Sequence, residues 1–515
     1  MKASEDIHAL IKSLAPTEKA YFKKYARLHV LGKGNRYVLL FDAINKQKKY
    51  DEKELMELFK GYDFVKRFAV AKEYLYKQIR YALESYHHSI HSDMKSLLHW
   101  AEILCTKELY KQSHKAILKA KQIAREHEMH HALMEIFRYW EIKLAVKNSD
   151  VSWIQNILRE EEAEITLLRN TKSYRDNYFR ISNHYLLHGI MRGKKHFGEI
   201  KKIMQSRPLT DADMAKTFEA KLRFHATHAF YSGIIDDRRG LYHSSGNIIA
   251  LFKKHPEKIR HAVGPFIFHL HNMTDACVLN KRYHEIPAHL KEFELLAPLA
   301  KSSDEKKKLF YFTAINRLNY YAVTGQFSIA VSAAVEISKQ LGGYEQSMND
   351  YEKAMLFQNI AMSYFGEGQY KNCIHWLNRI RDEISLNIRP DLEGFLRLFY
   401  VIAHYEAGHM DLLVPLIQSL YRYLKKKEQL HKFETVIIYF LRNELPKTND
   451  QKERIQAFQK LKTKLLPLTK DADEKNSFDS FDYISWLESK IENRPFAEVV
   501  RQKAAEGGGS GKGNG

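Results

Sequence analysis

Cysteine is scarce in this chain, with only Cys105, Cys277 and Cys373 among 515 residues. The three stand far apart and match no metal or redox spacing. This excludes a disulfide-stapled scaffold and a cysteine-based zinc site, and it fits a reducing, cytoplasmic compartment. Proline is also sparse: none of the 11 lies between Thr17 and Arg207, and six of the 23 glycines crowd into the last nine residues. The body therefore lacks the punctuation that strands and tight turns require, which is the composition of an all-α protein. Long apolar runs are missing too. Stretches such as Tyr37 to Phe41 fall far short of the ~18 residues a membrane span needs. The opening MKASEDIHALIKSL sets Glu5 and Asp6 into its apolar pattern, so it reads as a helix and not as a signal peptide. What is present is ordinary for a folded chain: 44 % hydrophobic and 28 % charged residues, enough to build a large core.

The formal net charge of +20 raises the question of nucleic acid, but the excess is spread along the whole chain and weighted toward the first 300 residues. Short basic runs at Lys194-Lys195, Lys306-Lys308 and Lys425-Lys427 are flanked by acids or apolar helix and read as solvated faces.

A repeat organises the chain. In FQNIAMSYFGEGQYKNCIHWLNRI, residues 357 to 380, one apolar pattern ends at a glycine turn and another begins at Tyr370. From Tyr370 the buried-type positions fall at +3, +4, +7 and +10, at Cys373, Ile374, Leu377 and Ile380, along one helical stripe. The same offsets from Phe327 give Ala330, Val331, Ala334 and Ile337, and from Met410 they give Leu413, Val414, Ile417 and Leu420. Tyr110, Tyr283 and Arg238 begin more divergent copies, and further anchors near Val151 and between Lys195 and Phe197 would fill the gap. The anchors at 238, 283, 327, 370 and 410 are separated by 45, 44, 43 and 40 residues, which is room for two helices and their turns. Gly325, Gly368 and Gly408 stand two positions before their anchors, where a helix end needs a left-handed residue.

Phe357, Ile360-Ala361, Tyr364, Gly368, Tyr370, Cys373, Leu377 and Ile380 together resemble the signature of tetratricopeptide repeats. Family units are shorter, about 34 residues, so the helices here are expected to be extended. The resemblance covers about residues 95 to 435. It implies a right-handed α-solenoid of helix pairs that acts as a non-enzymatic scaffold for protein binding. SLAPTEKAYFKKYA, FDAINKQKKYDEKEL and SFDYISWLESKIENRPF also resemble segments of bacterial helical-repeat proteins of uncharacterised function, and imply no activity.

The expected organisation is a helical N-terminal domain over 1–92 with a break at Gly32-Lys33-Gly34, a repeat array over 93–440, capping helices over 441–503 and a flexible Gly-rich tail over 504–515.

Chemical motifs are weak. His127-Glu128-Met129-His130-His131 satisfies HExxH, the pattern of two zinc ligands one helical turn apart with a glutamate base. Among 26 histidines such a match arises by chance, and the extension that would supply a third ligand meets Met134 and Phe137. The motif reads as a solvated helix junction. His87/His91, His184/His188 and His225/His228 are further pairs at helical spacing with no third ligand, so no metal, cofactor or active site is expected. Residues 51–85 admit a helix-turn-helix reading for DNA, with Lys66, Arg67, Lys72, Lys77 and Arg80 facing the duplex, although the second helix suits packing better.

The repeat register supplies the functional expectation. Eleven residues before the anchors stand Asn272, Asn316 and Asn359, at a position where, in the family this chain resembles, first helices line a concave groove that touches bound peptide. Carboxamides donate and accept at once, so such a ladder suits an extended backbone; the alternative reading of the same asparagines is local hydrogen bonding within the helices. Asp275, Asn319, Gln358 and Phe365 are expected on the same face. The competing expectation is an RNA- or ribonucleoprotein-binding array that uses the basic excess and 30 tyrosines.

Overall fold

A computed structural model describes residues 3–28, 36–188, 197–385, 390–471 and 473–508. Gly32-Lys33-Gly34, Lys194-Lys195 and most of the Gly-rich tail lie outside the described residues. Helix accounts for 84 % of the chain, and no strand occurs among the described residues. The chain forms two compact units, Met1–Leu168 and Arg169–Gly515.

The first unit opens with Ala3–Ser13 (α1), Pro16–Leu28 (α2), Arg36–Lys46 (α3), Glu52–Leu58 (α4) and Phe68–Tyr86 (α5). These share a core around Phe22, Phe41, Leu75 and Ile79. Ile90–Thr106 (α6), Tyr110–Glu126 (α7), His130–Glu135 (α8) and Ile142–Lys147 (α9) follow, packed around Leu98, Ile117 and Phe137. A π-helical turn over Ile136–Glu141 links α8 to α9. It ends on Glu141, which is buried and bonded through both oxygens to the buried Lys121 at 3.0 and 2.8 Å. The next helix, Val151–His188 (α10), opens at the expected anchor, after a left-handed Ser149 and an Asp150 N–H bonded to the Ala145 carbonyl at 3.0 Å, but runs on as one continuous helix of 38 residues, and the boundary between the units falls inside it.

The second unit contains Phe197–Met204 (α11), Arg207–Thr210 (α12), Phe218–Ile234 (α13), Arg238–Lys254 (α14), Pro256–His261 (α15), Val263–Leu279 (α16) and Ile286–Leu295 (α17). It continues with Ser303–Val323 (α18), Phe327–Leu341 (α19), Asp350–Gly366 (α20), Tyr370–Glu383 (α21), Pro390–Glu406 (α22) and Met410–Lys426 (α23). Lys432–Tyr439 (α24), Gln451–Leu465 (α25), Tyr483–Ile491 (α26) and Phe496–Gly508 (α27) complete it. Neighbours in sequence pack as pairs: α13 with α14, α16 with α17, α18 with α19, α20 with α21 and α22 with α23. First helices also pack on one another, α16 on α18 and α18 on α20.

One turn builds all these pairs. Two positions before Tyr110, Arg238, Tyr283, Phe327, Tyr370 and Met410, the backbone is left-handed at Glu108, Asp236, Lys281, Gly325, Gly368 and Gly408. At each, the following N–H reaches back to the carbonyl five residues earlier: Leu109 to Leu104, Asp237 to Ser232, Arg282 to Cys277, Gln326 to Tyr321, Gln369 to Tyr364 and His409 to His404, all within 2.8–3.0 Å. This is the Schellman arrangement, which satisfies carbonyls a helix end would leave orphaned. Four first helices start from side-chain caps, whereas α16 starts from Ala262 without one. Ser89, Ser302 and Asn349 each close a capping box, and Thr217 accepts from the Ala220 N–H. The +3, +7 and +10 positions of the second helices are buried at Cys373, Leu377 and Ile380 and again at Ala330, Ala334 and Ile337. The +4 position is not part of that stripe everywhere, since Val414 is 60 % exposed.

Candidate functional site

The register that suggests a binding face can be followed side chain by side chain on α16, α18 and α20. Asn316 is almost wholly buried: its Nδ2 donates to the Phe312 carbonyl at 2.7 Å, and its Oδ1 accepts from His271 Nδ1 at 3.2 Å. The middle asparagine of the ladder is thus occupied as a brace between two first helices. Asn359 is half-buried and donates to the Met355 carbonyl at 2.8 Å, bonding back to its own helix as asparagine does in helix interiors. Asn272 is half-buried on α16.

His271 also lies 3.4 Å from Asp275, so Asp275, His271 and Asn316 form one chain of polar groups from α16 to α18. Asp275 still reaches water, yet enough protein surrounds it to push its carboxyl above the usual range, with His271 pulling the other way. Gln358 is buried, with its Nε2 against Met362 Sδ at 3.9 Å, and its Oε1 has no donor among the described residues. Asn319 is half-buried on α18. Phe365 does not share this face: it is buried among Phe399, Phe481 and Phe496.

An apolar stripe that the asparagine pattern does not announce runs beside these amides. Phe268 is 39 % exposed, and Phe312 and Met355 are half-buried, each one helical turn before an asparagine. Phe268 meets Phe312 edge-on at 6.2 Å, and the His271 ring lies 4.6 Å from Phe312. The signal is present in the sequence as an aromatic or methionine fifteen residues before three successive anchors.

The other motifs resolve into local packing. HExxH does not lie on one helix: His127 follows the end of α7, Glu128 is left-handed, and His130 and His131 open α8. Two ligands one helical turn apart are therefore not built there. His130 instead pairs with Glu164 at 2.6 Å. His87 meets Glu18 at 2.6 Å, and His228 Nε2 lies 3.0 Å from the Leu209 carbonyl. Burial pushes the pKa of His228 down, and that of His225 down to about 4. No group of three or more metal-ligating side chains occurs among the described residues.

In the 51–85 segment Asp51 caps α4 through the Lys53 and Glu54 N–H groups, and a 3-10 turn over Asp63–Arg67 precedes α5. Lys72 is buried and paired with Glu52 at 2.5 Å, which removes it from any face toward a duplex. Lys307 and Lys308 of a basic run pair with Glu352 and Asp304. No helix among the described residues is long and apolar enough to cross a membrane. Comparison with known proteins finds no family model that matches the chain and no curated protein that is similar to it.

Proposed function

We propose that residues 218–426 form a right-handed, tetratricopeptide-like solenoid whose first-helix face holds an extended segment or a domain of another protein, without catalysis. The observation that carries this reading is the recurrence, in register on α16, α18 and α20, of an apolar side chain followed four residues later by asparagine: Phe268 and Asn272, Phe312 and Asn316, Met355 and Asn359. Apolar side chains repeated once per helix pair offer evenly spaced contacts, and the half-buried amides of Asn272 and Asn359 beside them can pair with a backbone without reading its side chains, while Asn316 braces the wall behind them. The exposure of Phe268 and the partly open carboxyl of Asp275 support the reading, the first as an apolar contact and the second as a polar one. The three free thiols of Cys105, Cys277 and Cys373 suit work in a reducing cytoplasm.

The test is purification of the chain with its bound material, with and without nuclease, in parallel with a Phe268→Arg/Met355→Arg variant. A protein retained after nuclease and lost from the variant supports the reading. Capture that vanishes with nuclease overturns it in favour of ribonucleoprotein binding, and capture unaffected by the variant removes this face as the site.

A further inference from the structure

The last residues of the chain do more than cover the end of the helix pairs. Glu474 accepts from the Lys432 and Phe433 N–H groups at 3.1 Å each, and so caps α24 from outside. Lys475 pairs with Asp236, and Asp479 takes both contacts of a forked bond from Arg238 Nη2 at 3.0 and 3.1 Å, at the α13–α14 turn. Phe481 then packs on Phe365 of α20 and Phe399 of α22 at 5.3 and 5.2 Å. Trp486 donates to Glu406 at 2.7 Å, and Lys490 pairs with the same carboxylate, at the end of α22. α27 packs beside Tyr283–Glu285, Phe496 meets Phe327 at 5.6 Å, and Arg501 donates to the Gly325 carbonyl at 3.1 Å. One continuous segment thus touches the turn ends of five successive pairs.

These contacts form a connected chain. Asp479 lies two residues from Phe481, whose ring stacks on Phe496 at 5.6 Å, and Phe496 also touches Phe365 at 5.9 Å. The ionic contacts at Arg238 are partly exposed, whereas Phe481, Tyr483 and Trp486 are buried, so the segment is anchored in its middle and held electrostatically at its first end.

We infer that residues 474–501 are a clasp, which ties the turn ends of five helix pairs into one body. Ordinary helical arrays are held only between neighbours, so a perturbation stays local. Here Arg238 and Arg501 are coupled through the clasp although separated by most of the unit. The clasp does not depend on what the first-helix face binds.

The experiment is hydrogen exchange on the full chain, comparing wild type with Arg238→Ala and with Asp479→Ala. Both side chains are partly exposed, and Asp479→Ala leaves the contact of Arg238 with Asp236 in place. Loss of a forked, charge-assisted contact is expected to lower protection by about tenfold in α27 and in the Gly325 turn as well as at the α13–α14 turn, in both variants. A change confined to residues near 238 and 479, with α27 within about twofold of wild type, would overturn the clasp. Asp479→Ala that leaves α27 as in wild type while Arg238→Ala lowers its protection would also overturn the assignment of the coupling to this pair.

Discussion

Replacing Gly325 by alanine separates two reasons for a glycine at a helix end. Its φ of 68° is left-handed, and a Cβ there would lie 2.5 Å from the Arg501 N, 2.7 Å from the Ala497 carbonyl oxygen and 2.8 Å from the Arg501 Cα. All three are backbone atoms of α27, which no rotamer change can move aside. Gly368 has a φ of 75° in the same kind of turn, and a Cβ there meets nothing within 4 Å. The conformational cost is common to both, about 1–2 kcal/mol for an L-residue in this region. It is tolerable, because Glu108, Asp236 and Lys281 adopt the same conformation at 61°, 54° and 56°.

Gly325→Ala adds an overpacking cost of about 1–3 kcal/mol, since α27 must shift and weaken the Arg501 bond and the Phe496 ring contacts. The variant is therefore expected to lose about 2–5 kcal/mol against about 1–2 kcal/mol for Gly368→Ala. Urea unfolding followed by far-UV circular dichroism gives the midpoints, and hydrogen exchange shows whether α27 is the segment released. Equal midpoints, or an unchanged α27 in Gly325→Ala, would refute the close approach as the reason for glycine at 325.

Acid should destabilise the second unit as the pH falls below about 6.5. Burial lowers the pKa of His225 and His269 to about 4, so the stability from keeping them neutral is complete above pH 6.5 and is lost as the pH falls toward 4. Each contributes a slope of at most about 1.4 kcal/mol per pH unit. A melting temperature that stays flat from pH 7 to 4.5 would contradict this. Asn316→Ala should cost about 1–3 kcal/mol, because it leaves His271 Nδ1 without its acceptor, whereas Asn272→Ala at a half-buried site should cost under about 1 kcal/mol; thermal melts of the two decide it. Lys121→Met should cost about 3–5 kcal/mol by stranding the buried Glu141, and the Lys121→Met/Glu141→Leu pair should recover most of that in denaturant titrations.

Much of the local structure was legible in the amino-acid order. Arg238, Phe327, Tyr370 and Met410 open second helices, as their apolar spacing implies, because burying one stripe of a 3.6-residue helix constrains every third or fourth position. Gly325, Gly368 and Gly408 mark left-handed turns for the same local reason. The left-handed Glu108, Asp236 and Lys281 carry no such mark, since their conformation is imposed by the returning hydrogen bonds of the turn and not by residue preference. Asn316 shares its spacing with Asn272 and Asn359, yet His271 on the neighbouring helix makes it a structural brace. Phe365 has the pattern of a groove residue, and Phe399 of the next pair together with Phe481 and Phe496 from more than a hundred residues away buries it. Helix starts, turns and stripes follow from neighbours in the chain. Which polar groups are engaged, which glycine is indispensable and which aromatic side chain stays open are decided by segments distant in sequence, whose approach no local pattern encodes.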